Sequence, residues 1–139
     1  MRKRTLWIIS GLIALALLYP FATPVIPAWT IRVVCENGAP VAREFVRQGW
    51  AHYTLESDSH TEDQRTDDEG YVTFPERTIR AGLLKRGVYA VWSKALTLAH
   101  GSYGPSADVI AWDAQRMPHS VDYKPGEPLP KEIVMPCEK

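Results

Sequence analysis

Three hydrophobic patterns divide the chain. From Leu6 to Leu18 the sequence LWIISGLIALALL runs about 13 residues without a charge, the length of the apolar region of a signal peptide. No charged side chain follows until Arg32. A span prolonged through Tyr19, Phe21, Val25, Ile26 and Trp29 reaches the ~20 residues that cross a bilayer, with Pro20, Pro24 and Pro27 placed to kink or break its second half. From Trp29 the pattern turns to alternation. Trp29, Ile31, Val33 and Cys35 share one parity and Thr30 and Arg32 the other, which is the period of a half-buried strand.

Asn37-Gly38 then gives a turn signal, because both residues tolerate positive φ. Pro40 opens an extended segment, and Glu44 to Leu55 is rich in strand-forming types, with Gly49 as a candidate bulge. Glu56 to Glu69 is polar throughout and is expected to be a solvated connection closed by Gly70. Tyr71 to Phe74 is a short strand ended by Pro75. The third pattern is helical: Leu84, Val88, Val91, Ala95 and Leu98 fall on one helix face, with Thr78 as N-cap. Gly82 and Gly87 each cost a helix ~1 kcal/mol relative to Ala. Ala107 to Trp112 reads as a strand, Pro118 to Pro130 as a Pro-punctuated segment, and Ile133 to Cys137 as a closing strand near an edge. Short strands with turns between them and one helix predict an all-β sandwich over residues 29–139, preceded by an N-terminal apolar helix within residues 1–28 that acts as signal anchor or signal peptide.

The run from Trp29 to Phe74, about a third of the chain, resembles the carboxypeptidase-regulatory-like domain, a transthyretin-like (prealbumin-type) β-sandwich. The family pattern is a first strand, then G-x-P-V-x-G-A-x-V, an aromatic strand, and T-D-x-x-G-x-[aromatic or aliphatic]-x-F. Gly38, Pro40, Val41, Val46, Thr66, Asp67, Gly70, Val72 and Phe74 match it. Arg43 and Glu44 depart from it, standing where the family has Gly and a small residue. The segment from Leu83 to Leu98 is longer than simple members need. The resemblance implies a non-catalytic attachment or envelope module and no reaction.

The net charge is zero, but Arg2, Lys3 and Arg4 precede the apolar run, leaving sixteen acidic residues against thirteen basic ones in the rest. That mildly acidic remainder argues against a nucleic-acid partner. The leading basic residues orient the N-terminus inward and the domain outward, towards the cell envelope or periplasm. Signal-peptide cleavage wants small residues one and three positions before the cut. Ala22 is preceded at that spacing by Pro20 and Ala28 by Ile26, which favours an uncleaved membrane anchor over secretion. In an oxidising compartment the two cysteines of the chain are expected to pair. Cys35 and Cys137 share parity with apolar neighbours, so both are expected to point inward.

No residue set demands catalysis. Thr66-Asp67-Asp68-Glu69-Gly70, with Asp58, Glu62 and Asp63 nearby, suggests calcium, yet its acids are consecutive and no Glu follows Gly70 until Glu76. A turn in which Asp67 bonds local backbone and Gly70 takes positive φ is the better reading. His52, His60, His100 and His119 lack zinc spacing. Gly101-Ser102 does not fit a nucleophile elbow, and Ser102, His119 and Asp122 form a triad only on paper. The sequence therefore implies no cofactor and no metal. Arg77, Arg80, Lys85 and Arg86 are either a solvated basic face or a site for phosphate, lipid headgroups or anionic glycan. Trp29, Trp50, Trp92 and Trp112, with Tyr53, Tyr71, Tyr89, Tyr103 and Tyr123, are core aromatics or sugar-stacking ones. Two readings follow. One is a non-enzymatic, membrane-anchored or exported envelope module binding a protein or glycan. The other is a small envelope hydrolase on the same fold; the family's catalytic versions end in Tyr-Arg-Gly-Ser, whereas this chain ends Val-Met-Pro-Cys-Glu-Lys.

Overall fold

A computed structural model describes residues 2–56, 58–100 and 104–137, with side chains left aside at residues 2 and 93–100. The chain is mostly β. Helix α1 (Arg2–Leu18) leads through Tyr19 and Pro20 into β1 (Phe21–Ile26), β2 (Trp29–Cys35), β3 (Phe45–His52), β4 (Ser59–Arg65), β5 (Tyr71–Phe74) and β6 (Arg77–Ala81). Helix α2 (Leu83–His100) follows, then β7 (Pro105–Trp112), β8 (Pro118–Tyr123) and β9 (Glu132–Met135).

Two sheets and a ribbon make a sandwich-like arrangement. One sheet has the order β5-β2-β9, the second β4-β3-β7-β8, and β1 pairs with β6. All neighbours are antiparallel except β2 and β9, which run parallel from Arg32↔Glu132 to Cys35↔Met135. The alternation read in β2 places Trp29, Ile31 and Val33 fully in the core. They meet Val46 of β3, Val72 and Phe74 of β5, Val109 and Ala111 of β7, and Ile133 of β9. Full burial of each large aliphatic or aromatic side chain contributes ~1.5–3 kcal/mol. Trp29 also donates from Nε1 to the Pro130 carbonyl at 2.7 Å, so a large residue enters the core without an orphaned donor. Val25 and Ile26 of β1 are buried in the same cluster.

Several expectations are corrected. The helix does not run on through Trp29: Pro20 follows its end, and Phe21–Ile26 is strand. Among the described residues no helix is long and apolar enough to cross a membrane; α1 has 17 residues. Half of the polar connection, Ser59–Arg65, is the edge strand β4, paired with β3 from Phe45↔Arg65 to Ala51↔Ser59. Pro118–Tyr123 is likewise a strand, at the opposite edge. Thr78 is no N-cap; it lies in β6 opposite Pro24, and the helix starts after Gly82. Gly49 is no bulge, since β3 keeps its register on both sides. The register shift falls between Pro24 and Ile26 instead.

Candidate functional site

The turn residues singled out in the sequence are built as turns. Gly38 has φ 82° after Asn37, whose Oδ1 accepts the Ala39 N–H at 3.0 Å, and Pro40 bridges to Val34. The Asp67 carboxylate accepts the N–H groups of Glu69 (3.0 Å) and Tyr71 (2.7 Å). Gly70 takes φ 82°. Thr66, buried at this corner, donates its hydroxyl to the Val41 carbonyl (2.7 Å) and accepts the Glu44 N–H (2.9 Å). Arg43, standing where the resembled pattern has Gly, adopts the left-handed φ of 59°. The approach to β3 thus keeps a glycine-like backbone without the glycine.

Cys35 and Cys137 form a disulfide, with Cα atoms 5.4 Å apart. The parallel pairing of β2 with β9 brings them together. The expectation that both face inward is corrected: Cys35 is buried, but Pro136 ends β9 and Cys137 is exposed.

Beside this bond the sandwich end opens into a cleft of about 820 Å³, lined among others by Glu44, Phe45, Arg47, Trp112, Asp113 and Arg116. Arg47 is held by Asp63 through two bonds of 2.6 and 2.8 Å, and its guanidinium lies 5.6 Å from the Trp112 ring centre. Next to Trp112 in the chain, Asp113 accepts the Met117 N–H at 2.8 Å and lies 3.0 Å from His119 Nε2. The His119 ring first, and the Met117 N–H second, hold the Asp113 carboxyl below the usual carboxylate range. A flat aromatic beside a guanidinium held by Asp63, with the Asp113 carboxylate in the same lining, suits a polar ligand with an apolar face.

The remaining chemistry-bearing residues are scattered. His119 and Asp122 point to opposite faces of β8 by parity, and Ser102 and Tyr103 lie outside the described residues, as does the side chain of His100. His60 stacks on Trp50, with ring centres 5.4 Å apart, and sits 2.8 Å from Glu56; His52 Nδ1 is 2.9 Å from the Thr54 hydroxyl. The basic cluster does not act as one face. Arg77 is mostly buried: it pairs with Glu62 at 2.8 Å, donates to Gln48 Oε1 at 2.9 Å and lies over the Trp50 ring at 4.2 Å. Arg86 donates to the carbonyls of Ala81 (2.9 Å) and Phe21 (2.7 Å). Lys85 lies 5.5 Å from the Tyr89 ring centre. Of the tryptophans, Trp29 is core, Trp50 is half-buried, Trp112 lines the cleft and Trp92 is exposed.

Sequence reasoning missed the Gln48–Arg77 network and the meeting of Gly49 with Asp108. Gln48 is fully buried, and its Nε2, like Arg77 Nη2, finds no acceptor among the described residues. The signal was its parity with Val46, which put an amide at a core position that needs a polar partner. A Cβ on Gly49 would stand 2.7 Å from Asp108 Oδ1; the carboxylate occupies the space a side chain would take. Burial first, then the facing Asp122, push the Asp108 carboxyl up. No known family, curated protein or solved structure matches the chain.

Proposed function

We propose that the protein is a non-enzymatic module of the cell envelope, held at a membrane through its N-terminal segment, whose domain binds a protein or glycan partner. The observation that carries this reading is α1. Its side chains from Leu6 to Leu18 are exposed, Trp7 at 79% and Leu15 at 69%. Each such side chain left in water forgoes the ~1.5–3 kcal/mol that burial contributes, so the helix needs an apolar medium that the domain does not supply. A contiguous apolar surface of this kind marks a membrane or protein contact. The Cys35–Cys137 bond supports an oxidising compartment, since such bonds persist outside the cytosol. The resemblance to carboxypeptidase-regulatory-like domains supports a binding role over catalysis, and the cleft between Phe45, Arg47 and Trp112 offers the partner a place.

Membrane fractionation of native cells with intact-mass measurement tests the proposal. The expected result is a membrane-bound chain that retains Leu6–Leu18. A soluble chain whose mass starts between Pro20 and Trp29 would refute the anchoring.

A further inference from the structure

Helix α2 leaves a second apolar face uncovered. Leu83, Leu84, Val88, Val91 and Trp92 are 47–75% exposed, and their spacing puts them along one side of the helix. This face is continuous with α1. Leu17 lines one groove with Leu83, Leu84, Val88, Val91 and Trp92, and a Cβ on Gly82 would stand 3.0 Å from the carbonyls of Leu17 and Leu18. The Arg86 bonds to Phe21 and Ala81 fix the start of α2 to the ribbon that α1 leads into.

Topology decides how such a helix can meet a bilayer. α2 begins directly after β6 and has 18 residues, and only residues 101–104 separate it from β7. Four residues reach at most ~14 Å, far short of recrossing a ~30 Å hydrocarbon core. α2 therefore lies along a surface and does not pass through it.

Charge decides which surface. Residues 1–35 and 77–107 contain no Asp or Glu; all sixteen acidic residues lie in 36–76 and 108–139. The helices and the ribbon between them are thus basic as well as apolar, with Arg80 exposed and Lys85 beside Tyr89 at the margin of the apolar face. A second copy of the chain docked symmetrically on this face would set these cations against their own kind with no carboxylate between them, which costs binding energy. An anionic bilayer supplies both the apolar medium and the countercharge. Trp92, Tyr89 and Tyr19 are the aromatic types that collect at headgroup depth.

We propose that α2 is an interfacial helix whose Leu83–Trp92 face is buried at the headgroup–acyl boundary of an anionic membrane, beside α1. This rests on the reading of α1 as membrane-bound, and two tryptophans separate the two. The full chain is reconstituted into vesicles of phosphatidylcholine with and without phosphatidylglycerol, carrying brominated acyl chains, and quenching is assigned by difference against Trp7→Phe and Trp92→Phe. Expected are quenching of Trp7 in both lipids, and quenching of Trp92 in the anionic vesicles that falls at least about threefold without phosphatidylglycerol. Val88→Glu with Val91→Glu, at exposed positions that the fold does not use, removes the Trp92 quenching and leaves that of Trp7. Trp7 quenched with Trp92 unquenched in anionic vesicles overturns the inference and spares the reading of α1. Neither quenched overturns both. Trp92 quenched equally in the two lipids, or shielded without lipid quenching, also overturns it.

Discussion

The Arg86 guanidinium donates to the Phe21 carbonyl at 2.7 Å and to the Ala81 carbonyl at 2.9 Å. Phe21 and Ala81 are themselves partners at the open end of the β1–β6 ribbon. One side chain thus clasps the strand that follows α1 to the strand that precedes α2. Replacing it with Met keeps the stem and removes two charge-assisted bonds. Arg86→Met is expected to lower unfolding stability by about 1–3 kcal/mol, read by urea denaturation. Arg80→Met, a change at an exposed neighbour without these bonds, is expected to leave the midpoint within about 0.5 kcal/mol.

Arg77 is the second anchor, and its role is internal. It covers the Trp50 ring, pairs with Glu62 and satisfies the carbonyl of the fully buried Gln48. Arg77→Met is expected to cost about 2–3 kcal/mol, because Gln48 loses its partner at a site closed to water. Arg77→Lys does not restore the wild-type value, since an ammonium cannot serve Glu62 and Gln48 in the planar geometry of the fork. Equal stability of the Lys variant and the wild type, by thermal unfolding, would contradict this role.

Asp108 gives a pH signature of definite sign. Its carboxyl is pushed up by burial and by Asp122, so the folded state holds the proton more tightly than the unfolded chain does. The protonated form favours folding below the unfolded value near 3.9, and that advantage is lost as pH rises through the raised folded value. Asp108→Asn is therefore expected to raise the melting temperature at pH 7, by the equivalent of no more than about 1 kcal/mol for facing like charges. The difference is expected to shrink to nothing near pH 3. A gain that persists unchanged at low pH would rule out the electrostatic cause.

Gly70 and Gly38 share a φ of 82° but differ in surroundings. A Cβ at Gly70 would meet the Val33 carbonyl at 2.6 Å and the Val41 nitrogen at 3.2 Å, whereas one at Gly38 meets nothing within 4 Å. Both substitutions by Ala carry the backbone penalty of about 1–2 kcal/mol; only Gly70→Ala adds a backbone clash. The expectation is that Gly70→Ala exceeds Gly38→Ala by at least about 1 kcal/mol, measured side by side in the same denaturant series.

Where side chains alternate between core and water, the sequence was legible. β2, β5 and the closing strand could be placed from Trp29, Ile31, Val33, Val72, Phe74 and Ile133, and the cysteine pair from the compartment, whereas parity misplaced Cys137. β4 was not legible, because an edge strand buries little on either face. Its Glu62 and Gln64 turn inward only to meet Arg77 and each other, and its pairing comes from β3 rather than from its own composition. The same edge position explains its charges, which blunt a strand edge against further pairing. α2 was legible as a helix but its burial was not, since the periodicity of Leu84, Val88 and Val91 is the same whether a core or a lipid receives it. The cleft was invisible for a different reason: Phe45 and Arg47 lie far in sequence from Trp112 and Asp113 and are gathered with them only by the register of β3 against β7.

The Cys35–Cys137 bond also fixes how a mechanical load would travel. A pull applied between α1 and residue 137 passes from β1 through β2 to Cys35 and leaves through the sulfurs. The chain between them, separated by 102 positions, hangs from the load path as a closed loop. β3 to β9 carry no covalent tension and feel the pull only through the pairing of β6 with β1 and of β5 and β9 with β2; the covalent path between α1 and Cys35 is residues 19–35, about 60 Å of extended chain. The segment that carries the load includes β1 and the central strand β2, so such a pull works directly against the burial of Val25, Ile26, Trp29, Ile31 and Val33.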